Sequence, residues 1–512
     1  MILLAPCEKL IERKSWSDYE IMEFQIPTIN VLIILPVIIV AVSGMLLMLL
    51  ELFFAEERVQ KWAPWLTSLG LVLAFAQTVG LWGKTRTTFT PEGGHPMIVL
   101  DNFATFLNAI FLLTGLFTVL ISVNYLRRVG LERSEYYMLM LFSITGMMLM
   151  GMSNDLILIF LALEVLSIPL YIMSGLSLPR AESEESAMKY FFLGAFSSAI
   201  FVFGIALTYG AAGSTALPVI LEGIEGGGAL GLAGIAFLLV GFGFKVAAAP
   251  FHMWTPDVYE GAPTVVTAFM SVGAKVGGFA AMLRVFVVAL EGLGDVWAPA
   301  VGVIAAITLI VGNLVALVQP NIKRMLAYSS IAHAGYILIG VAATVGSDDG
   351  VSSTLFYMLA YLFTNMGAFG IAIAVERRIG EGIMLEDYKG LAKRSPLLAL
   401  AMAYFMLSLT GVPPTGGFSA KFFIFQAALE ADLLWLAIVG VVTSVASGYY
   451  YLRVVYMMYM YDGEGELNLQ PVLMGAVALT VAATLILGFF PGPWFEMTRE
   501  AALQGLQVVA GG

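Results

Sequence analysis

The amino-acid sequence predicts an all-α polytopic membrane protein with about 14 transmembrane helices, and three observations carry that prediction. Of 512 residues, 60% are hydrophobic and only 12% charged. The mean hydropathy is +0.90, which is more apolar surface than a soluble core uses. The apolar runs are about 20 residues long, the length of a span, and lack the alternating sidedness of barrel strands. Helices follow, because in lipid a helix satisfies its own backbone groups.

In chain order, residues 1–25 form a mixed-charge tail without the basic-then-apolar layout of a cleaved signal. Met22 stands directly before the first apolar run and is an alternative start. Residues 26–124 hold helices 1–3, at 26–50, 63–83 and 101–124. Residues 135–290 hold helices 4–8, at 135–152, 155–177, 186–210, 231–250 and 262–290. Residues 297–460 hold helices 9–13, at 297–318, 322–345, 352–376, 396–428 and 432–460. Helix 14 is expected at 470–491 and a C-terminal tail at 492–512.

The formal charge is −11, but in a membrane protein the placement of positive charge says more than its sum. Lys and Arg collect in the loops after odd-numbered segments, among them Arg127, Arg128, Arg180, Lys189, Lys323 and Arg324. By the positive-inside rule those loops face the cytoplasm and both termini face outward. Cys7 is the single cysteine, which excludes a disulfide framework or a cysteine cluster for iron–sulfur or zinc. The basic residues are too few and scattered for nucleic-acid binding.

Two stretches break the apolar pattern. "GFGFKVAAAPFHMWTPDVYEGAP", Gly241 to Pro263, places Lys245 five residues before Pro250; "GVPPTGG", Gly411 to Gly417, lies shortly before Lys421. Lysine-bearing, proline-interrupted helices thus recur five segments apart. An odd offset reverses orientation, so the pattern predicts two inverted five-helix repeats with discontinuous helices 7 and 12. The order of lysine and proline differs between the two.

Glu164 in "IFLALEVLSIPL", Lys245, Lys275 and Lys421 all fall within apolar segments. Each intramembrane charge costs roughly 2.5–3.5 kcal/mol if unpaired, so such residues mark partners or pathways. Lys245 is the expected partner of Glu164. Desolvation disfavours a charged lysine and a nearby carboxylate favours it, so the balance makes a lysine that can release and regain a proton. The plainer readings are a fixed ion pair for Glu164 and snorkelling for the lysines. His333 in "AYSSIAHAGYILIG" and His252 after Pro250 fit proton relays, the natural work of histidine near neutral pH, whereas His95 reads as a loop residue. Asp257 and Glu260 read as capping the next helix, ahead of lining a proton entrance, and Arg284 as reaching the interface, ahead of pairing with a carboxylate. "GFGF" has no βα unit around it and is no dinucleotide fingerprint.

"FHMWTPDVYEGAPT", "KRMLAYSSIAHAGY", "LALEVLSIPLY" and "LTGVPPTGGFSAKF" together resemble the N-type antiporter-like subunits of bacterial respiratory complex I, the equivalents of mitochondrial NADH dehydrogenase subunit 2. The resemblance covers about residues 25–490. It implies a proton-translocating subunit of a redox-driven NADH:quinone oxidoreductase, with Glu164, Lys245, Lys275 and Lys421 as the family's buried charged series and His252 and His333 as relays. It implies no redox centre and no cofactor in this chain, with NADH, FMN, iron–sulfur clusters and quinone bound by partner subunits. It further implies an M-type antiporter-like neighbour, small J- and K-type neighbours and a bacterial inner-membrane location. Lys421 separates the chain from M-type subunits, which resemble one another in carrying glutamate there. The same lysines and broken helices also suit a cation/proton antiporter, or a related complex fed by ferredoxin or F420.

Overall fold

The computed structural model describes residues 27–91, 94–177 and 179–510, so the expectations for the tail and for Met22 lie outside the described residues. The chain opens with α1 (Val31–Phe53) and α2 (Glu56–Val79), followed by an antiparallel pair of short strands, β1 (Arg86–Thr88) and β2 (Ile98–Leu100). Next come α3 (Asn102–Arg128), α4 (Ser134–Met152), α5 (Leu156–Ser174), α6 (Ala181–Ala212) and the short α7 (Leu217–Gly223). The middle holds α8 (Gly228–Lys245), α9 (Trp254–Gly261), α10 (Thr264–Leu283), α11 (Gly294–Ala316), α12 (Ile322–Ala343) and α13 (Gly350–Val375). It closes with α14 (Leu391–Arg394), α15 (Pro396–Thr410), α16 (Gly416–Glu430), α17 (Leu434–Met460), α18 (Pro471–Phe489) and α19 (Pro491–Ala510).

Among the described residues, 13 helices are long and apolar enough to cross a membrane. The protein is an all-α polytopic membrane protein. The difference from 14 arises at segment 396–428, which is two shorter helices, α15 and α16, on either side of Gly411–Thr415. Pro413 and Pro414 bring no backbone donor to that stretch. Thr415 then restarts the helix by accepting from the Phe418 amide at 3.2 Å. The seventh segment is interrupted in the same manner: α8 ends at Lys245, and α9 begins at Trp254. Between them Ala247 sits at φ 62°, a left-handed conformation that an L-residue other than glycine rarely adopts.

The order of elements recurs. A helix pair (α4 and α5, then α11 and α12) is followed by one long helix (α6, then α13), a broken helix (α8–α9, then α15–α16) and a closing helix (α10, then α17). Both leading pairs pack through small residues. A methyl on Gly146 would come within 2.4 Å of the Leu166 amide, and one on Gly312 within 2.7 Å of that of Ala332. Such close backbone approach is what holds membrane helices together when hydrophobicity does not distinguish neighbour from lipid.

Burial separates centre from rim. α10, α12 and α13 are buried almost throughout, so nearly every polar group on them faces protein. α6 presents Phe191, Phe192, Phe196 and Phe203 outward, the surface of a lipid-facing helix. Most of 492–512, expected as a tail, instead belongs to α19, which packs on α3 and α13, while Phe495 stacks on Phe423 of α16 at 3.8 Å.

Candidate functional site

The three lysines that stand within apolar segments are 3–4% exposed, and none has a carboxylate within 4.0 Å among the described residues. Each is held by neutral oxygens. The Lys245 ammonium donates to Ser167 Oγ at 2.7 Å. Its stem is admitted by Gly278 of α10, where a methyl would stand 3.1 Å from Lys245 Cγ. Lys275 donates to both the carbonyl and the hydroxyl of Ser330 on α12. Lys421 donates to the carbonyls of Leu409 at 3.0 Å and Thr410 at 2.8 Å, and to Ser444 Oγ at 2.8 Å. Leu409 and Thr410 end α15, so this ammonium satisfies carbonyls that the helix leaves without amide partners and sits at its negative pole.

The expected direct pair of Glu164 with Lys245 is not formed. Glu164 accepts from Ser198 Oγ of α6 at 2.5 Å, while Ser167, one turn further along α5, takes the lysine. Glu164 and Ser167 share a face of α5 at a spacing of three, so the acid and the serine that takes the lysine lie on the same side of the helix. Ser167, Ser197, Ser198 and Lys245 line a cavity of about 10 Å³, room for a single water.

Further along, the second set of elements supplies a buried hydroxyl chain. His333 Nδ1 lies 2.6 Å from the Tyr357 hydroxyl and Nε2 lies 3.2 Å from that of Tyr451, which in turn meets Ser329 Oγ at 2.5 Å. A neutral imidazole donates at one nitrogen and accepts at the other, and a phenol does either. The histidine can therefore take a proton at one side and release one at the other. Tyr361, whose ring packs 5.1 Å from that of His333, donates to Ser330 Oγ at 2.9 Å, the hydroxyl that holds Lys275. At the far end the Lys421 ammonium lies 4.5 Å from the Tyr336 ring centroid, and that ring lies 5.9 Å from the His333 ring.

His252 does not join. Its Nδ1 is buried without a hydrogen-bond partner, and no side-chain bond links it to a lysine. Two further expectations are corrected. Asp257 and Glu260 cap no helix. Asp257 accepts from Lys189 at 2.5 Å and from Arg324 at 2.7 Å, and Glu260 pairs with Arg324 at 2.8 Å, so the polar turn ties α6, α9 and α12 together. Arg284 does not reach an interface: it is 2% exposed and bonded at 2.7 Å to Asp101, which is wholly buried. Asp101 also caps α3, and the sequence offered no sign of its partner 183 residues away. Tyr357, Tyr361, Tyr451 and Ser330 were likewise missed, because tyrosine and serine are unremarked in any apolar helix. No group of three or more metal-ligating side chains occurs among the described residues.

Comparison with known proteins agrees with this architecture. Residues 153–447 match the family model described as NADH:quinone oxidoreductase/Mrp antiporter, transmembrane. A curated relative from Chloroflexus aggregans, named NADH-quinone oxidoreductase subunit N, is 46% identical over 484 residues, covering 93% of this chain and 98% of the relative. The chain belongs to the NADH-quinone oxidoreductase subunit N family. Among solved structures, a chain of respiratory complex I from Thermus thermophilus with bound aureothin is 35% identical, with a TM-score of 0.77 over 90% of this chain and 98% of that one. A chain of the Mrp complex from a Dietzia species is 22% identical with a TM-score of 0.84 over 94% of this chain and 100% of that one, a likeness of fold. As a member of the subunit N family, the chain is a membrane-embedded subunit of an oxidoreductase complex. It shares the antiporter-like fold of proton-translocating membrane subunits.

Proposed function

We propose that this chain moves protons across the membrane through its buried Glu164–Lys245–Lys275–His333–Lys421 series, driven by quinone reduction in partner subunits that bind NADH, FMN, iron–sulfur clusters and quinone. The observation that carries this reading is three buried ammonium groups held only by neutral oxygens. Left unpaired, three intramembrane charges cost on the order of 10 kcal/mol, a load with no use in a purely structural bundle. Lysines so placed respond strongly to any charge brought near or taken away, which lets a shift in one ion pair push a proton to the next site. Inserting Glu164 or withdrawing it through the Ser167–Ser198 hydroxyls is such a shift, and the His333–tyrosine group joins the two lysine clusters. The recurring order of elements supports two inverted repeats, 135–290 and 297–460, with the broken helices lining the pathway. The neighbours on this reading are an M-type antiporter-like subunit and the small J- and K-type subunits. The basic loops face the cytoplasm of a bacterial inner membrane and both termini face outward. His252, whose Nδ1 has no partner, stays an auxiliary relay at the α8–α9 break.

The test is to replace Lys245 by Ala, and separately Glu164 by Ala, in the assembled complex reconstituted into vesicles. Proton pumping and quinone-linked turnover are expected to fall together. Wild-type assembly, turnover and pumping in both variants would remove the basis for the pathway. A sodium gradient that drives proton movement without an electron donor would instead favour an antiporter.

A further inference from the structure

A second buried carboxylate lies outside the series above. Glu376 closes α13 and is 1% exposed, although the next residue, Arg377, stands at the surface. Its Oε1 accepts from the Gly380 amide at 3.3 Å, and its Oε2 has no hydrogen-bond partner. Tyr125, Arg128, Lys323 and Tyr388 surround it, yet no cation lies within 4.0 Å among the described residues. Both nearby cations are engaged elsewhere: Arg128 donates to the Ile373 carbonyl at 2.9 Å, and Lys323 to those of Glu260 at 2.9 Å and Ala262 at 2.6 Å. A carboxylate kept only to anchor a helix end would use both its oxygens, and leaving one of them buried without a partner is costly.

From Glu376 a line of polar groups climbs α10. The Tyr125 hydroxyl accepts from the Thr264 amide at 3.3 Å. Thr264, Thr267, Ser271 and Lys275 follow at spacings of three, four and four, which puts them on one helix face over roughly 16 Å. Asn365 of α13 donates to Ser271 Oγ at 2.6 Å. Thr264 Oγ1, Asn365 Oδ1 and the Tyr388 hydroxyl are buried without a partner, as is Glu376 Oε2. Buried oxygens of this kind are what ordered water bonds to, and here they sit on α10 (Thr264), on α13 (Asn365) and on the chain that follows α13 (Glu376, Tyr388).

We propose that Glu376 is the proton-uptake group on the basic-loop side of the bundle, delivering protons along the α10 line of polar groups to Lys275. The inference rests on the proton-translocation reading above. Glu376 takes a proton from the aqueous side and passes it, by way of water, Thr264 and the Ser271–Asn365 pair, to the Lys275 amine. The amine becomes ammonium and the carboxylate is restored.

The experiment compares Glu376→Gln, Glu376→Asp and Lys275→Ala in the complete complex in vesicles, reading assembly, quinone-linked turnover and proton uptake. Glu376→Gln is expected to assemble and lose coupled turnover and pumping, and Glu376→Asp to restore both, which a space-filling role would not require. Wild-type pumping in Glu376→Gln while Lys275→Ala is inactive overturns the uptake role and leaves the pump intact. Wild-type pumping in both overturns the pump reading itself. If Glu376→Gln does not assemble, Thr264→Val decides: it preserves volume and removes one hydroxyl of the line, so slowed uptake supports the proposal and wild-type uptake overturns it.

Discussion

A lysine surrounded by neutral dipoles and an arginine bonded to a carboxylate are opposite solutions to burying a cation, and this bundle contains both. Lys245, Lys275 and Lys421 take the first, which leaves each charge open to reversal. Arg284 and Asp101 take the second, joining α3 to the end of α10 with an aromatic face, Phe103, 4.7 Å from the guanidinium. Breaking such a pair strands a charge in the interior at a cost of about 3–5 kcal/mol. Asp101→Ala is therefore expected to lower the thermal stability of the solubilised complex markedly, and a paired Asp101→Leu, Arg284→Met change to regain most of it. Equal loss in the single and double variants would show that the pair is not what the site depends on. The intramembrane lysines were legible in the sequence because a charge in an apolar window is an anomaly in one dimension. Their acceptors were not, because which serine or carbonyl meets an ammonium depends on which helices touch.

At the scale of elements, the two breaks position the site. The α8–α9 interruption turns the chain directly after Lys245, and the turn is tied at Ala249, whose amide donates to Thr308 of α11 at 2.9 Å. Ala247 carries the left-handed backbone that this turn needs, a conformation costing an L-residue roughly 1–2 kcal/mol. Ala247→Gly relieves that cost and is expected to hold or raise stability, whereas a β-branched Ala247→Val is expected to lower it by more than 1 kcal/mol by the same steric argument. Thermal unfolding of the two variants in detergent checks the ordering. Both breaks could be read from proline beside lysine in an apolar run. The second break falls within the predicted Gly411–Gly417 stretch; what the sequence did not give is that Thr415 caps the new helix by accepting from the Phe418 amide. α19 escaped for a different reason: amphipathic patterning at the end of a membrane chain does not say whether it docks, and only contact with α3 and α13 answers that.

For the whole molecule, orientation follows from charge placement. The basic loops between α3 and α4, α5 and α6, and α13 and α15 are expected on one side, and the Lys189–Asp257–Arg324–Glu260 network ties α6, α9 and α12. With Cys7 replaced by serine, a single cysteine at Arg378 is expected to react with an impermeant reagent only in inverted vesicles, and one at Asp348 only in right-side-out vesicles. Reaction of both from the same side would overturn the topology. Composition and period determined that this chain is helical and membrane-embedded, and charges in apolar runs marked Glu164, Lys245, Lys275 and Lys421, because the bilayer penalises each such departure residue by residue. The tertiary structure alone decided that Glu164 and Lys245 each meet a serine hydroxyl rather than one another, that His333 stands between two tyrosines while His252 stands apart, and that Arg284 faces Asp101. Those outcomes depend on contacts between helices distant in sequence, and in lipid such contacts are chosen by shape and hydrogen bonding that no single helix carries.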